Sequence, residues 1–227
     1  MRFAAAGIGL LLLTGCQVKA TVGVHAKADG SGHVEVIVVF DRDAVGRVPN
    51  LELRTDDLVR AGWEIEGPTS EPGGGLRIEA QRRFRSPAEA ERLVAEVGGA
   101  GGVLEGFELE RERSFLRTRM RLTGILDLTD GVARFSDSDL AERLGGQPLG
   151  LEPAQLTAVD EALRVEVVGD LPGKRATWQA RPGERIRLVA EGEQWNLGSI
   201  LFAVLAVLCA AATAVTFRRT RRAPPSP

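Results

Sequence analysis

Val18-Lys19-Ala20-Thr21-Val22-Gly23-Val24-His25-Ala26, then Asp29-Gly30-Ser31-Gly32, then His33-Val34-Glu35-Val36-Ile37-Val38-Val39-Phe40, is the stretch on which the fold turns. In the first segment apolar and polar residues alternate with period two, the pattern of a half-buried strand. The Asp-Gly-Ser-Gly cluster supplies turn chemistry, and the β-branched run after it reads as a second strand. Together they predict a β-hairpin.

Working outward, Thr55 is placed to cap a short helix reaching Ala61, with Gly62 as its stop. Trp63 to Glu66 and Leu76 to Phe84 read as strands joined by a loop. Ser86-Pro87-Ala88-Glu89 opens the clearest helix, with Ser86 as N-cap and Glu89 closing a capping box. Gly98-Gly99 ends it. A long strand pair is expected from Phe107 to Leu128, then a helix capped by Ser136 that carries Leu140 and Leu144. Strands at Leu163 to Val168 and Arg185 to Ala190 close the domain. The order predicts an α+β fold: a curved antiparallel sheet with two or three short helices on one face.

Both ends carry membrane signals. Met1-Arg2, the apolar run Phe3 to Leu13 and Leu13-Thr14-Gly15-Cys16 form a secretory signal ending in a lipobox-like step. Eleven apolar residues are too few to span a bilayer. Residues 1–15 therefore read as a lipoprotein signal peptide and Cys16 as the acylated residue. Leu197 to Phe217 carries no charge and is followed by Arg218, Arg219, Arg221 and Arg222. At ~1.5 Å per residue it would span roughly 31 Å. Residues 196–217 are expected as a transmembrane helix and 218–227 as a cytoplasmic basic tail. Residues 16–195 then form an extracytoplasmic domain, anchored at both ends to the cell membrane by lipid and by a single pass. The tethers are short, so both ends of the sheet are expected on one membrane-facing side.

Charge and cysteine content narrow the function. Arg2 and the four C-terminal arginines lie outside the domain, leaving it 24 of the 29 basic residues against all 31 acidic ones. A net −7 excludes a general nucleic-acid binder. The only cysteines are Cys16 and Cys209, so the domain has no disulfide or thiolate chemistry. His25 and His33, the only histidines, would be cross-strand neighbours, too few for a metal site. No catalytic set, phosphate loop or dinucleotide motif is present, so neither an enzyme nor a cofactor is expected.

Two groups of residues merit attention. Arg117, Arg119 and Arg121 alternate with Leu116, Thr118, Met120 and Leu122 and project from one sheet face at ~6.5–7 Å spacing. With Arg111 and Arg113 nearby they could hold lipid phosphates. They could equally form a solvated face neutralised by Glu108, Glu110 and Glu112. Trp63 and Trp178 are candidates for the core or for the lining of a ligand cavity.

Val165 and Val167 followed by Gly169-Asp170-Leu171-Pro172-Gly173-Lys174, with Trp178 and one more strand after them, resemble the actinobacterial LppM-type lipoproteins. The lipobox and hairpin at the start fit the same order. The resemblance implies an α+β domain with an apolar cavity, binding envelope glycolipids such as phosphatidylinositol mannosides. It also implies a role in mycobacterial interaction with host phagocytes, and it brings no catalytic residues. The expected function is binding of membrane lipid or glycolipid. The alternative is a protein-interaction module that organises an envelope complex and needs no cavity.

Overall fold

The computed structural model describes residues 17–47, 56–98, 102–135 and 153–221. The signal segment with Cys16, the Thr55 cap, the helix expected after Ser136 and the tail from 222 lie outside these residues. The described strands are β1 (Val18–Ala26), β2 (Gly32–Phe40), β3 (Glu64–Glu71), β4 (Gly75–Phe84), β5 (Leu104–Arg113), β6 (Arg117–Asp127), β7 (Leu163–Leu171), β8 (Lys174–Ala180) and β9 (Arg185–Trp195). The helices are α1 (Arg42–Arg47), α2 (Asp56–Arg60), α3 (Pro87–Gly98), α4 (Pro153–Ala162) and α5 (Leu197–Arg221), with a 3-10 turn at Gly131–Phe135.

The expected hairpin is present with Val18 opposite Phe40 and His25 opposite His33. Asp29 builds its turn by accepting hydrogen bonds from the amide and the hydroxyl of Ser31. Ser86 caps α3 by accepting the Glu89 amide proton, while the Glu89 carboxylate accepts from the Arg85 amide. That is a capping box displaced by one residue.

The fold class differs from the expectation. The domain is predominantly β, and its strands form two sheets rather than one curved antiparallel sheet. The larger sheet has the order β3-β4-β2-β1-β7-β8 and the smaller β5-β6-β9. The larger is mixed: β1 pairs with β7 in parallel, Val18 beside Leu163 and His25 beside Asp170. This pairing makes β1 a central strand with a ladder on each side.

One hydrophobic core lies between the layers. Val22, Val24, Val34, Val165 and Val167 enter it from the larger sheet, and Leu109, Met120, Leu122 and Leu188 from the smaller. Leu122 packs onto Gly169 of β7. Helix α3 packs chiefly along β5, reaches β2 and β4 of the larger sheet, and contributes Leu93 and Val94 to the core.

The C-terminal segment requires a second correction. It forms helix α5, Leu197–Arg221. Among the described residues no helix is long and apolar enough to cross a membrane. The expected span over 196–217 is not supported, and neither are the single-pass topology and the cytoplasmic tail that depended on it.

The two ends of the domain also lie elsewhere than expected. The Gln17 amide and carbonyl are bound to Asp41, beside the start of β1. Lys19 shares a cleft with Glu184, just before β9. At the other end of the strands, Gln194 of β9 shares a cleft with Ala26 and Pro172. Thus β1 and β9 run the same way. The chain enters at one end of the domain and passes into α5 at the opposite end, about 26 Å away for eight strand steps.

Candidate functional site

At the α5 end, Ser114, Phe115 and Leu116 form the turn between β5 and β6. The β6–β9 register sets Arg117 opposite Trp195 and so brings this turn beside the start of α5. Phe115 is 61% exposed, Leu116 43%, Trp195 59% and Leu197 76%. Together they form an apolar end with a groove of about 420 Å³ lined by Ser114, Phe115, Leu116, Arg117 and Trp195. A contiguous exposed apolar surface on an otherwise charged domain marks an interaction site.

Asn196 fixes this end. Its amide group donates to the Ser114 carbonyl at 3.0 Å, its side-chain oxygen accepts from the Thr118 hydroxyl at 3.2 Å, and its backbone N–H donates to Leu116 at 2.7 Å. Its carbonyl then accepts the first bond of α5, from Ile200. One residue thus braces the turn, the start of β6 and the start of the helix.

The arginine ladder lies along β6 behind this end. Arg119 is bound to Glu193 at 2.7 Å and lies 3.7 Å from Glu112. Arg117 is 3.4 Å from Glu193 and Arg121 3.5 Å from Glu191. The Arg119 bond, with the Arg117 charge beside it, lowers the Glu193 carboxyl below its usual range. All three guanidiniums are therefore turned toward carboxylates, chiefly from β9 rather than from the Glu108–Glu112 strand. The two tryptophans are separated. Trp63 is buried, and its indole N–H donates to Glu96 at 3.1 Å. Half-buried Trp178 packs against the core and covers Gly169.

The outer face of the larger sheet carries both histidines. Their rings are stacked, with centroids 4.5 Å apart and planes inclined by 11°. His25 lies between two carboxylates, with Nδ1 3.3 Å from Asp170 and Nε2 3.5 Å from Glu35. It lies over Gly23, where a side chain would collide with the ring. Among the described residues no group of three or more His, Cys, Asp or Glu is arranged to hold a metal.

Burial, then the neighbouring His25, lowers the His33 pKa below 6.5. Lys27 and Arg83 act in the same direction and Asp170 opposes them. The folded state therefore resists a proton that the unfolded chain accepts, so stability is lost as pH falls below about 6.5. Glu35 acts with the opposite sign. Burial and the adjacent Glu79 raise its pKa, and protonation relieves that strain at lower pH. The lowered carboxyls of Asp127, Glu166 and Glu193 lose their contributions only as pH falls further, through their folded values. His33→Phe keeps a stacked ring without the titration. It is expected to flatten the decline in melting temperature between about pH 7 and pH 5.5. An unchanged decline would remove His33 from this role.

No family model and no curated protein matches the chain. Among solved structures it is similar to the folded domain of Mycobacterium tuberculosis LppM. That NMR structure aligns over 85% of this chain and 99% of its own, with 13% identity and a TM-score of 0.43. LppM is the family whose resemblance the sequence carries.

Proposed function

We propose that the chain is a cell-envelope lipoprotein, acylated at Cys16, whose domain binds lipid or glycolipid at a membrane surface without catalysing a reaction. The apolar end carries this reading. Phe115, Leu116, Trp195 and Leu197 are exposed together, and Asn196 holds them in place. An indole and a phenyl ring beside Arg117 suit the boundary between acyl chains and headgroups, where amphipathic aromatics partition. Glycolipids of the phosphatidylinositol mannoside kind are the ligands suggested by the sequence resemblance.

The described core is filled by side chains and the clefts described above are open, which favours contact at the surface over enclosure of a lipid. The arginine ladder is engaged with carboxylates and contributes less to this reading. Gln17, the residue after Cys16 in the sequence, and the apolar end are some 26 Å apart, so both reach one bilayer only when the strands lie along it.

The test uses the full chain in phospholipid vesicles. Trp195 emission should shift to the blue and be quenched by lipids brominated near the headgroup, and Trp195→Phe should abolish both effects. A Trp195 still reached by aqueous iodide would overturn the reading. If a protein partner then shielded it, the interaction-module alternative would take its place.

A further inference from the structure

At the end of the domain where the chain enters, Lys19, Arg164 and Arg181 lie on three neighbouring strands or their ends, around a cleft of about 480 Å³. Lys19 and Arg164 are register partners in the parallel β1–β7 pair. Like charges directly beside each other on adjacent strands are destabilising. Elsewhere along β7 the charged positions are matched: Glu166 accepts from Gln179 at 2.8 Å, and Asp170 stands opposite Arg175.

Among the described residues Lys19 pairs with Glu166, at 3.0 Å. Among the described residues neither of the two arginines meets a carboxylate. Arg164 donates to the backbone carbonyls of Glu161 and Leu163 at 3.0 and 2.6 Å, which fixes its guanidinium at the rim. Arg181 engages Glu184 only through its backbone amide, at 2.8 Å. Glu166 and Glu184 also line the cleft. Glu166 is already compensated by Lys19 and Gln179, so two guanidiniums face the single charge of Glu184.

We infer that this cleft is an anion site for a phosphate-bearing group, held by Arg164 and Arg181 with Lys19 beside them. Guanidinium groups bind phosphate through paired, charge-assisted hydrogen bonds. A bound dianion would relieve the repulsion between Lys19 and Arg164. The group could be the headgroup of an anionic lipid, since only Gln17 separates Cys16 from β1, or free phosphate. The lipid source rests on the proposed function; the anion chemistry does not.

The experiment uses the full chain in detergent micelles, titrated with inorganic phosphate, and in phosphatidylcholine vesicles with and without phosphatidylinositol. Expected are a melting temperature that rises with the binding probe and an affinity reduced about tenfold in Arg164→Gln and in Arg181→Gln. Arg164→Lys should be intermediate. Arg181 makes no side-chain bond among the described residues, so its variant keeps the test open if Arg164→Gln fails to fold.

A response to inorganic phosphate identifies the free ion as sufficient. A response only to phosphatidylinositol vesicles identifies the headgroup. Absence of binding to either probe, or affinities unchanged in the glutamine variants, overturns the site. Trp195 quenching is read in the same samples. If it fails while the arginine dependence persists, the apolar-end reading falls and the cleft stands.

Discussion

Leu122→Ala should lower the stability of the domain by roughly 3 kcal/mol, within the range of about 2–5 kcal/mol for a fully buried leucine. Leu122 is 0% exposed and lies in the middle of β6, between Leu109 and Ala190, with its tip against Gly169 of the other sheet. Truncation opens a cavity where the two sheets meet. Gly169 offers no side chain that could move in, and the backbones on both sides are fixed by their ladders. For a domain of this size the melting temperature should fall by about 6–12 °C. A fall of less than about 2 °C would mean that the two sheets do not share one core.

Gly192→Ala should be nearly as damaging, for the opposite reason. At this position β9 crosses the β7–β8 turn, and an added Cβ would stand 2.5 Å from the Pro172 carbonyl oxygen and 3.0 Å from the Leu171 Cβ. The nearest atom is backbone, so relief requires moving the turn or separating the sheets. A cost of about 1–3 kcal/mol follows from overpacking of this kind. Gly46→Ala is the matched control: it lies in α1 with nothing within 4 Å of the new methyl group. It should be neutral or slightly stabilising. Equal behaviour of the two variants in urea unfolding would show that the crossing is looser than described.

What the sequence disclosed was local. The β1–β2 hairpin, α3 with its Ser86 cap and the β5–β6 pair are written in alternation, turn residues and capping positions within a few residues of one another. The parallel β1–β7 pair joins Val18 to Leu163 across most of the chain, and no local pattern announces it. β8 escaped because Ala176, Trp178 and Ala180 alternate correctly but include only one bulky apolar residue. α4 escaped although Pro153 stands at its first position, a recognised start signal.

The site divides in the same way. The spacing of Arg117, Arg119 and Arg121 was legible. Their surroundings depend on the β6–β9 register, which supplies Glu191 and Glu193 to the arginines and brings Phe115 and Leu116 beside Trp195. The cationic cleft depends likewise on Lys19 and Arg164 becoming neighbours through β1 and β7.

Entry and exit of the chain at opposite ends give the domain a mechanical character. Tension between Gln17 and the start of α5 would pull β1 and β9 in opposite senses along their own lengths. Load would then reach the hydrogen bonds of β1 to β2 and β7 sideways and nearly all at once, instead of opening them one by one from an end. Ladders loaded in shear share the force among many bonds. The domain would act as a stiff tie between whatever holds Cys16 and whatever holds α5. In a single-molecule pulling experiment, force applied through these two ends should be resisted far better than force applied across the β1–β2 turn at Gly30.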